Sequence, residues 1–199
     1  YSADTDAGER LLLPYLRHRG IGRLDGLIVS HLDSDHSGGA ASILRAIAVD
    51  RVISSIAPEH PMLGARAHVE RCAAGMQWSS GSLTFAVLHP ALVDYEAKRT
   101  TNAMSCVVLI TFGATRVLLT GDVTLPDESA LLARTPAVRV NWLAVPHHGS
   151  RSSSSALLLD TLGATSAVAQ AGYRNRVRHP DPEVVARYDA RKTQFFRTE

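Results

Sequence analysis

Long apolar runs are missing from this sequence. No stretch approaches the roughly 18 consecutive apolar residues needed to cross a bilayer, and the opening residues do not match a secretory signal peptide. We therefore expect a soluble domain, and any membrane helices of a longer parent protein would lie outside this segment.

Cysteine is nearly absent as well. Cys72 and Cys106 are the only two, and they lack the spacing of a CxxC motif. This excludes a disulfide framework, a zinc ribbon and a thioredoxin-like redox motif. Cys106 lies in an apolar run and is predicted to be a core residue.

The net charge is small, and aromatic residues are few. The 21 basic and 19 acidic residues leave a net charge of +2, and aromatic residues make up 6%. The weak net charge excludes a strongly basic nucleic-acid-binding tail, and the few aromatics argue against extensive stacking on bases. Any contact with nucleic acid is expected to involve the phosphate backbone.

What the chain does contain is an alternation of strand-length and helix-length segments. Its 199 residues suit one domain spanning residues 1–199, with no repeat and no Pro/Gly-rich linker. The apolar runs predict strands at residues 24–30, 51–55, 83–88, 106–112, 115–120, 142–145 and 166–170. Helices are predicted at residues 39–47, 62–74, 125–134, 154–162 and 182–191, the last capped by Asp181. This mixture predicts an α/β fold with parallel and hairpin-like pairing.

The densest group of chemical side chains follows the first predicted strand. His31, Asp33, Asp35 and His36 lie within six residues, ahead of a Gly-Gly pair. Imidazole and carboxylate groups suit Zn²⁺ or Mn²⁺. The alternative is a polar loop in which Asp35 or Ser37 caps the following helix.

Two further motifs also follow strands. Asp122 comes after Thr120-Gly121, where a carboxylate can bridge two cations or simply belong to a turn. The adjacent His147 and His148 precede a serine-rich stretch that can offer a phosphate seat or an ordinary helix cap. Because strand ends meet along one edge of a sheet, we expect all three motifs to converge.

A cluster of arginines lies near the end of the chain. Arg174, Arg176 and Arg178 fall within five residues, beside His179. This pattern is equally typical of a solvated basic loop and of a surface that faces phosphates.

Taken in order, the three motifs resemble the metallo-β-lactamase superfamily. Within it they are most similar to the C-terminal domain of the ComEC family of DNA-uptake competence proteins. The resemblance continues through residues 6–10, 14–17, 102–107 and 172–180. It implies a four-layer αβ/βα sandwich, truncated at both ends, with a two-metal site at one edge.

The resemblance also implies a set of metal ligands. His31 and Asp33 would hold the first ion, and Asp35 and His36 the second. Asp122 would bridge the two ions, and His148 would complete the second site while His147 faces the scissile phosphate. The roles of the two adjacent histidines can be reversed.

The sequence departs from the family pattern at three points. Asp33 stands where the superfamily most often has histidine, which makes the first site richer in oxygen. The segment that usually supplies another histidine offers Asn102 and Ser105, and His89 is either a further ligand or a structural residue. The Asp-Val-Gly-Gln-Gly-Asp-like motif with which the family normally begins has no match.

The implied activity is metal-dependent hydrolysis of phosphodiester bonds, as a nuclease that degrades single-stranded DNA during natural transformation. It would use two divalent ions, Zn or Mn, and no organic cofactor. The domain would be continuous with a membrane channel domain of an inner-membrane parent, on its periplasmic or extracellular side. The residues expected to act in catalysis are Asp35, Asp122, His147 and His179. Those expected to bind substrate are Asn102, Ser105, Ser150, Arg151, Ser152, Arg174, Asn175 and Arg176.

Two alternatives remain open at this point. The same centre could serve a phosphodiesterase or esterase that acts on choline- or lipid-type phosphodiesters. The chain could also be a non-catalytic module that guides DNA and keeps a degenerate metal site.

Overall fold

A computed structural model describes residues 6–64, 68–135, 138–172 and 175–198, in which helices and sheets combine as the sequence predicts. The chain divides into two units, Tyr1–Cys72 and Ala73–Glu199. None of the helices in the described ranges is long and apolar enough to span a bilayer. That the chain behaves as one domain stays a prediction.

The first unit contains two small parallel sheets. Strands β1 (Arg23–Leu24) and β3 (Ala48–Val49) form one pair, and β2 (Leu27–Val29), β4 (Val52–Ser54) and β5 (Val69–Arg71) form the other sheet in the order β2-β4-β5. All-parallel strands are buried on both faces, and all three residues of β4 are buried.

Helical segments surround these strands. A π-helical turn (Gly8–Leu12) leads into α1 (Leu13–His18), and two short helices, α2 (Ser34–Ser37) and α3 (Ala40–Ala46), follow β2. A Cβ added to Gly8 would overlap the backbone carbonyl of Gly39. The first helical segment therefore packs directly on the glycine pair that separates α2 from α3.

Two predictions for the first unit are wrong. The strand predicted at 24–30 is broken between Leu24 and Leu27, so that β1 and β2 join different sheets. The helix predicted at 62–74 is replaced by a single 3₁₀ turn (Pro61–Leu63) and by β5. Gly64, with a φ of 70°, ends the turn, and a left-handed residue cannot continue a right-handed helix.

The second unit is built on a seven-stranded mixed sheet. Its strands are β6 (Gln77–Ser80), β7 (Leu83–His89), β8 (Val107–Phe112), β9 (Thr115–Leu119), β10 (Trp142–Ala144), β11 (Ser166–Ala169) and β12 (Gln194–Arg197). They lie in the order β12-β11-β10-β9-β8-β7-β6, antiparallel from β6 to β9 and parallel from β9 to β12. A two-residue turn, Gly113-Ala114, joins β8 to β9, since Phe112 pairs with Thr115, and this hairpin agrees with the strands predicted at 106–112 and 115–120.

Three helices cover one face of this sheet. They are α4 (Leu125–Arg134), α5 (Ala156–Leu162) and α6 (Pro182–Asp189), with the predicted cap Asp181 accepting a hydrogen bond from the Glu183 amide. Leu118, Leu143 and Ala167 from the sheet share one core with helix residues such as Leu131 and Val184. This packing fixes the loops that leave β9, β10 and β11 at their carboxyl ends.

The two cysteines are buried, as predicted for Cys106. Both Cys72 and Cys106 are disulfide-bonded, so neither is a free thiol.

Candidate metal centre

The ligand-rich loop of the first unit is shaped by its backbone hydrogen bonds. The Asp33 carbonyl accepts the amide of His36 at 3.0 Å and that of Ser37 at 2.9 Å. The buried Ser37 hydroxyl donates to the Leu32 carbonyl at 2.8 Å and to the Asp33 carbonyl at 3.0 Å. Ser37 therefore closes the loop from within.

These four side chains form two pairs. Nε2 of the fully buried His31 lies 3.8 Å from Oδ2 of Asp33, and Nε2 of His36 lies 3.8 Å from Oδ2 of Asp35. The two imidazole rings are 4.1 Å apart between centroids. Two ligands bound to one tetrahedral Zn²⁺ at 2.0–2.2 Å lie about 3.4 Å apart. The spacing and the nitrogen-oxygen chemistry of both pairs fit a divalent ion.

The capping alternative for this loop finds no support. The N-cap of α2 is Asp33, whose side chain makes no capping hydrogen bond, and the N-cap of α3 is Gly39. Neither Asp35 nor Ser37 caps a helix. The carboxylates of the loop therefore need another explanation.

In the second unit, Asp122 lies one turn beyond β9. It is buried, and its amide donates to the Ser105 hydroxyl at 2.9 Å. Ser105 was predicted to contact substrate, but its hydroxyl holds the backbone of Asp122. The carboxylate oxygen Oδ2 of Asp122 lies 3.5 Å from Nε2 of His148 and 3.8 Å from Nε2 of His147.

The two adjacent histidines follow β10 in an unusual backbone conformation. His147 and His148 have φ values of 49° and 54°, in the left-handed region. The His147 amide donates to the Gly121 carbonyl at 3.0 Å, which joins this loop to the Asp122 loop. Left-handed non-glycine residues cost of order 1–3 kcal/mol each and cluster at functional sites.

The hydrogen bonds of the histidines distinguish their roles. Nδ1 of His148 donates to the Gln170 carbonyl at 2.7 Å, so Nε2 carries the lone pair that faces Asp122. Nε2 of His147 accepts from the Asn102 amide at 3.4 Å, and its Nδ1 donates to the Ser152 hydroxyl at 3.2 Å. A metal-binding histidine usually donates its other nitrogen to a carbonyl. This pattern favours His148 as the ligand.

A second group of polar atoms surrounds His147. The ring of His179 lies 6.0 Å from that of His147. Within the described ranges, Nδ1 of His179 and Oδ1 of Asn102 are buried and have no hydrogen-bond partner. Burial, and then the neighbouring His147 and His148, lower the pKa of His179. His179 is therefore a neutral imidazole at neutral pH, and the group can accept a polar ligand.

The predicted substrate-binding residues of the later loops have mixed placements. The Asn175 side chain donates to the His179 carbonyl at 2.7 Å and accepts from the His179 amide at 2.7 Å, so it shapes its own loop. Arg151 pairs with Asp181 at 2.8 Å and with Glu183 at 2.9 Å. Ser150 lies 3.0 Å from Ser152, which orients His147. Arg176 is exposed, and Arg174 lies outside the described residues.

Of the two alternatives for the serine-rich stretch, the helix cap is confirmed, because the Ser155 hydroxyl accepts the Leu158 amide at 3.1 Å. A phosphate seat at the start of α5 is wrong. The amides of Ser154 and Ser155 both donate to the carboxylate of Glu128. A buried carboxylate therefore occupies the anion position at this helix start. Sequence reasoning missed Glu128, although its place three residues after Leu125 and three before Leu131, on an apolar helix face, was a visible signal.

His89 is held as a structural residue. It is fully buried, its Nε2 donates to the Ala103 carbonyl at 2.8 Å, and its Nδ1 accepts from Arg134 at 2.7 Å. Both ring nitrogens are thus engaged by protein groups, which leaves neither for a metal ion.

Comparison with known families identifies the class of protein. A profile of the metallo-β-lactamase superfamily matches residues 2–172, and the chain belongs to this superfamily. Its members are typically metal-dependent hydrolases that bind divalent ions, usually two. The predicted fold class is therefore confirmed.

The relatives within the superfamily include a protein named for competence, as the resemblance predicts. The chain is 36% identical over 187 residues to recombination protein 2 of Haemophilus influenzae, covering 94% of the chain and 22% of that protein. It is 30% identical over 201 residues to ComE operon protein 3 of Bacillus subtilis, covering 96% and 26%. With competence protein ComA of Neisseria gonorrhoeae it shares 32% over 195 residues, covering 97% and 26%. The chain spans about a quarter of the length of these relatives.

Solved structures support the fold alone. The diiron β-hydroxylase CmlA of Streptomyces venezuelae matches with a TM-score of 0.59 at 15% identity, over 89% of this chain and 44% of that one. The metallo-β-lactamase fold protein YhfI of Bacillus subtilis matches with a TM-score of 0.52 at 14% identity, over 87% and 73%.

Proposed function

We propose that this chain is a two-metal phosphodiesterase that degrades single-stranded DNA during natural transformation. The observation that carries the proposal is the pairing of ligand side chains, His31 with Asp33 and Asp35 with His36, each at 3.8 Å. Asp122 and His148 form a third pair of the same chemistry at 3.5 Å. Membership of a superfamily of metal-dependent hydrolases supports the assignment.

The ligand sets of the two units serve the same two ions in this proposal. His31 and Asp33 would hold one ion, Asp35, His36 and His148 the other, and Asp122 would bridge. Imidazole and carboxylate ligands suit both Zn²⁺ and Mn²⁺, and the oxygen donor Asp33 makes the first site more acceptable to Mn²⁺. When bound, two such ions lower the pKa of water and stabilise charge on a phosphate.

The remaining side chains would act on the substrate directly. Asp35 and Asp122 would orient the attacking water through their carboxylates. His147 and His179 would hydrogen-bond the phosphate or the leaving oxygen. The buried polar atoms of Asn102 and His179 support a polar ligand at this position.

The biological setting rests on the relatives. Three of them are named as competence or recombination proteins and are about four times longer than this chain. We infer that the domain is continuous with a membrane channel domain of an inner-membrane parent, on the periplasmic or extracellular side. In that setting, single-stranded DNA would be the substrate within reach of the site.

A second candidate is a phosphodiesterase for small choline- or lipid-type diesters. The contacts of Arg151 favour it, because Asp181 and Glu183 neutralise this arginine and weaken its attraction for a polyanion. A non-catalytic DNA-guiding module is the third reading, and it has no need of two bound ions.

One experiment separates the three. The purified chain is loaded with Mn²⁺ or Zn²⁺, its metal content is measured, and hydrolysis of a labelled single-stranded oligonucleotide is compared with that of bis(p-nitrophenyl) phosphate. We expect two ions per chain and cleavage of the oligonucleotide. Cleavage of the small diester alone would favour the second candidate, and DNA binding without hydrolysis would favour the third.

A further inference from the structure

The loop that carries His147 and His148 holds a costly backbone conformation. Three of its non-glycine residues, His147, His148 and Ser154, have φ values of 49°, 54° and 59°. Left-handed conformations of this kind persist only where surrounding contacts outweigh their cost. The contacts that hold the loop therefore decide where the two imidazoles lie.

The main contact is a carboxylate on a neighbouring helix. Glu128 on α4 is fully buried, and its two oxygens accept the amides of Ser154 and Ser155. The start of α4 makes one more bond to the loop, from the Leu125 amide to the Ser152 carbonyl at 2.8 Å. Leu125 and Glu128, which lie three residues apart on α4, thus hold the loop at Ser152, Ser154 and Ser155.

Two side chains of α6 and a serine of the loop itself complete the attachment. The Tyr188 hydroxyl lies 3.1 Å from the Ser154 hydroxyl, and Arg187 donates to the carbonyls of Ser153 and Ser154 at 2.9 and 3.1 Å. The Ser153 hydroxyl donates to the Pro146 carbonyl at 2.8 Å, which returns the network to the residue before His147.

Helix α4 is also attached to the other ligand loop of this unit. It begins at Leu125, three residues after Asp122, and its N-cap Thr124 is bonded through side chain and amide to Asp127. A single rigid helix therefore connects the Asp122 loop with the His147–His148 loop. The two hydrogen bonds that the Glu128 carboxylate accepts from the Ser154 and Ser155 amides are the buried part of that connection.

We propose that Glu128 is a positioning residue that sets the distance between His148 and Asp122 and thereby the affinity of the metal centre. It touches neither metal nor substrate, and it acts by clamping the strained loop. The inference rests on the proposed function insofar as His148 and Asp122 bind metal.

The decisive variant is Glu128→Gln. It keeps the volume of the side chain and one acceptor oxygen, but its NH₂ group faces an amide that also donates, so one of the two bonds is lost. We expect the affinity for Mn²⁺ to fall about 10- to 100-fold, the range typical of residues that orient metal ligands. The ligand-field spectrum of the Co²⁺-substituted protein should change as well.

Leu131→Ala is the matched control. Leu131 lies on the same helix, is buried in the core and has an apolar side chain that takes no part in the hydrogen bonds to the loop, so its substitution lowers the thermal midpoint without releasing the clamp. We expect it to bind Mn²⁺ like the wild type. Tyr188→Phe, which removes only the bond to Ser154, is a milder second variant with a smaller loss of affinity.

The outcomes separate this inference from the proposed function. Wild-type Mn²⁺ affinity and an unchanged Co²⁺ spectrum in Glu128→Gln would overturn the positioning role while leaving the metal centre intact. An affinity loss no greater than that of Leu131→Ala at an equal drop in thermal midpoint would also overturn it. A wild-type chain that binds no metal would sink the metal centre itself. If Glu128→Gln does not fold, unchanged affinity in Tyr188→Phe counts against the clamp.

Discussion

Nδ1 of His148 donates to the carbonyl oxygen of Gln170 across 2.7 Å. Because a carbonyl can only accept, this bond fixes the tautomer and leaves the lone pair of His148 on Nε2, 3.5 Å from the Asp122 carboxylate. His147 is fixed differently, with Asn102 and Ser152 as its partners. Two adjacent residues of the same type are thereby given different chemistry.

The first prediction separates these two histidines. His148→Ala should reduce the bound metal from two ions to one, because it removes a ligand of one site. His147→Ala should retain both ions and lower kcat by about 10²- to 10⁴-fold, the usual range for a group that assists proton transfer. Metal content is measured by mass spectrometry after dialysis, and hydrolysis by gel assay. Loss of metal in His147→Ala with retention in His148→Ala would reverse the assignment.

The second prediction concerns Asp35. Asp35→Asn removes the charge of a ligand without changing its volume, so hydrolysis should be abolished while the circular dichroism spectrum stays unchanged. Asp25→Asn, an exposed change elsewhere in the same unit, is the control and should be silent. Near-normal hydrolysis by Asp35→Asn in excess Mn²⁺ would rule Asp35 out as a ligand.

The third prediction is a pH dependence of stability at His89. Burial lowers the pKa of His89 below its ordinary value of 6.5, and the charge of Arg134 adds to the effect. His89 therefore binds a proton more readily in the unfolded chain than in the folded chain. The stability due to neutral His89 is fully present above about pH 6.5 and is lost as the pH falls toward the lowered pKa.

Denaturant unfolding of the metal-free chain between pH 5 and 8 tests this. His89→Asn should cost about 1–3 kcal/mol at neutral pH, because it leaves buried partners unsatisfied. It should also flatten the decline of the unfolding free energy below pH 6.5. An equally steep decline in wild type and variant would show that His89 titrates normally.

Much of the second unit was predictable because its strands are apolar runs ended by turn residues. The hairpin at Gly113-Ala114 and the strands β7 to β11 follow directly from that pattern. The candidate metal ligands could be selected because four of them stand within six residues, a density that packing does not require. His31 lies beside Asp33, and their assignment to one ion stays a prediction.

The errors have a common physical source in tertiary contacts. Residues 62–74 read as helical until Gly64 and the pairing of Val69–Arg71 with β4 are known. A phosphate seat at the serine-rich stretch stayed open beside a helix cap because nothing local shows that Glu128, 26 residues earlier than Ser154, fills the position. Partners that are distant in sequence decide both cases.

The last prediction concerns the substrate and the arginines expected to bind it. Arg151 pairs with Asp181 and Glu183, whereas Arg176 is exposed. Replacing Arg174 and Arg176 by Ala should weaken single-stranded DNA binding at every sequence. If both contact phosphates, the slope of log K against log salt should fall by about 1.4, since each contact contributes about 0.7 on single strands. Arg151→Ala should change the slope little, because its charge is already neutralised.

Fluorescence anisotropy across a salt series measures the slopes. Hydrolysis of bis(p-nitrophenyl) phosphate should be unaffected in both variants, because a small diester reaches the ions without crossing the arginines. Equal losses on DNA and on the small diester would show that these arginines support the fold, and would favour the small-diester function.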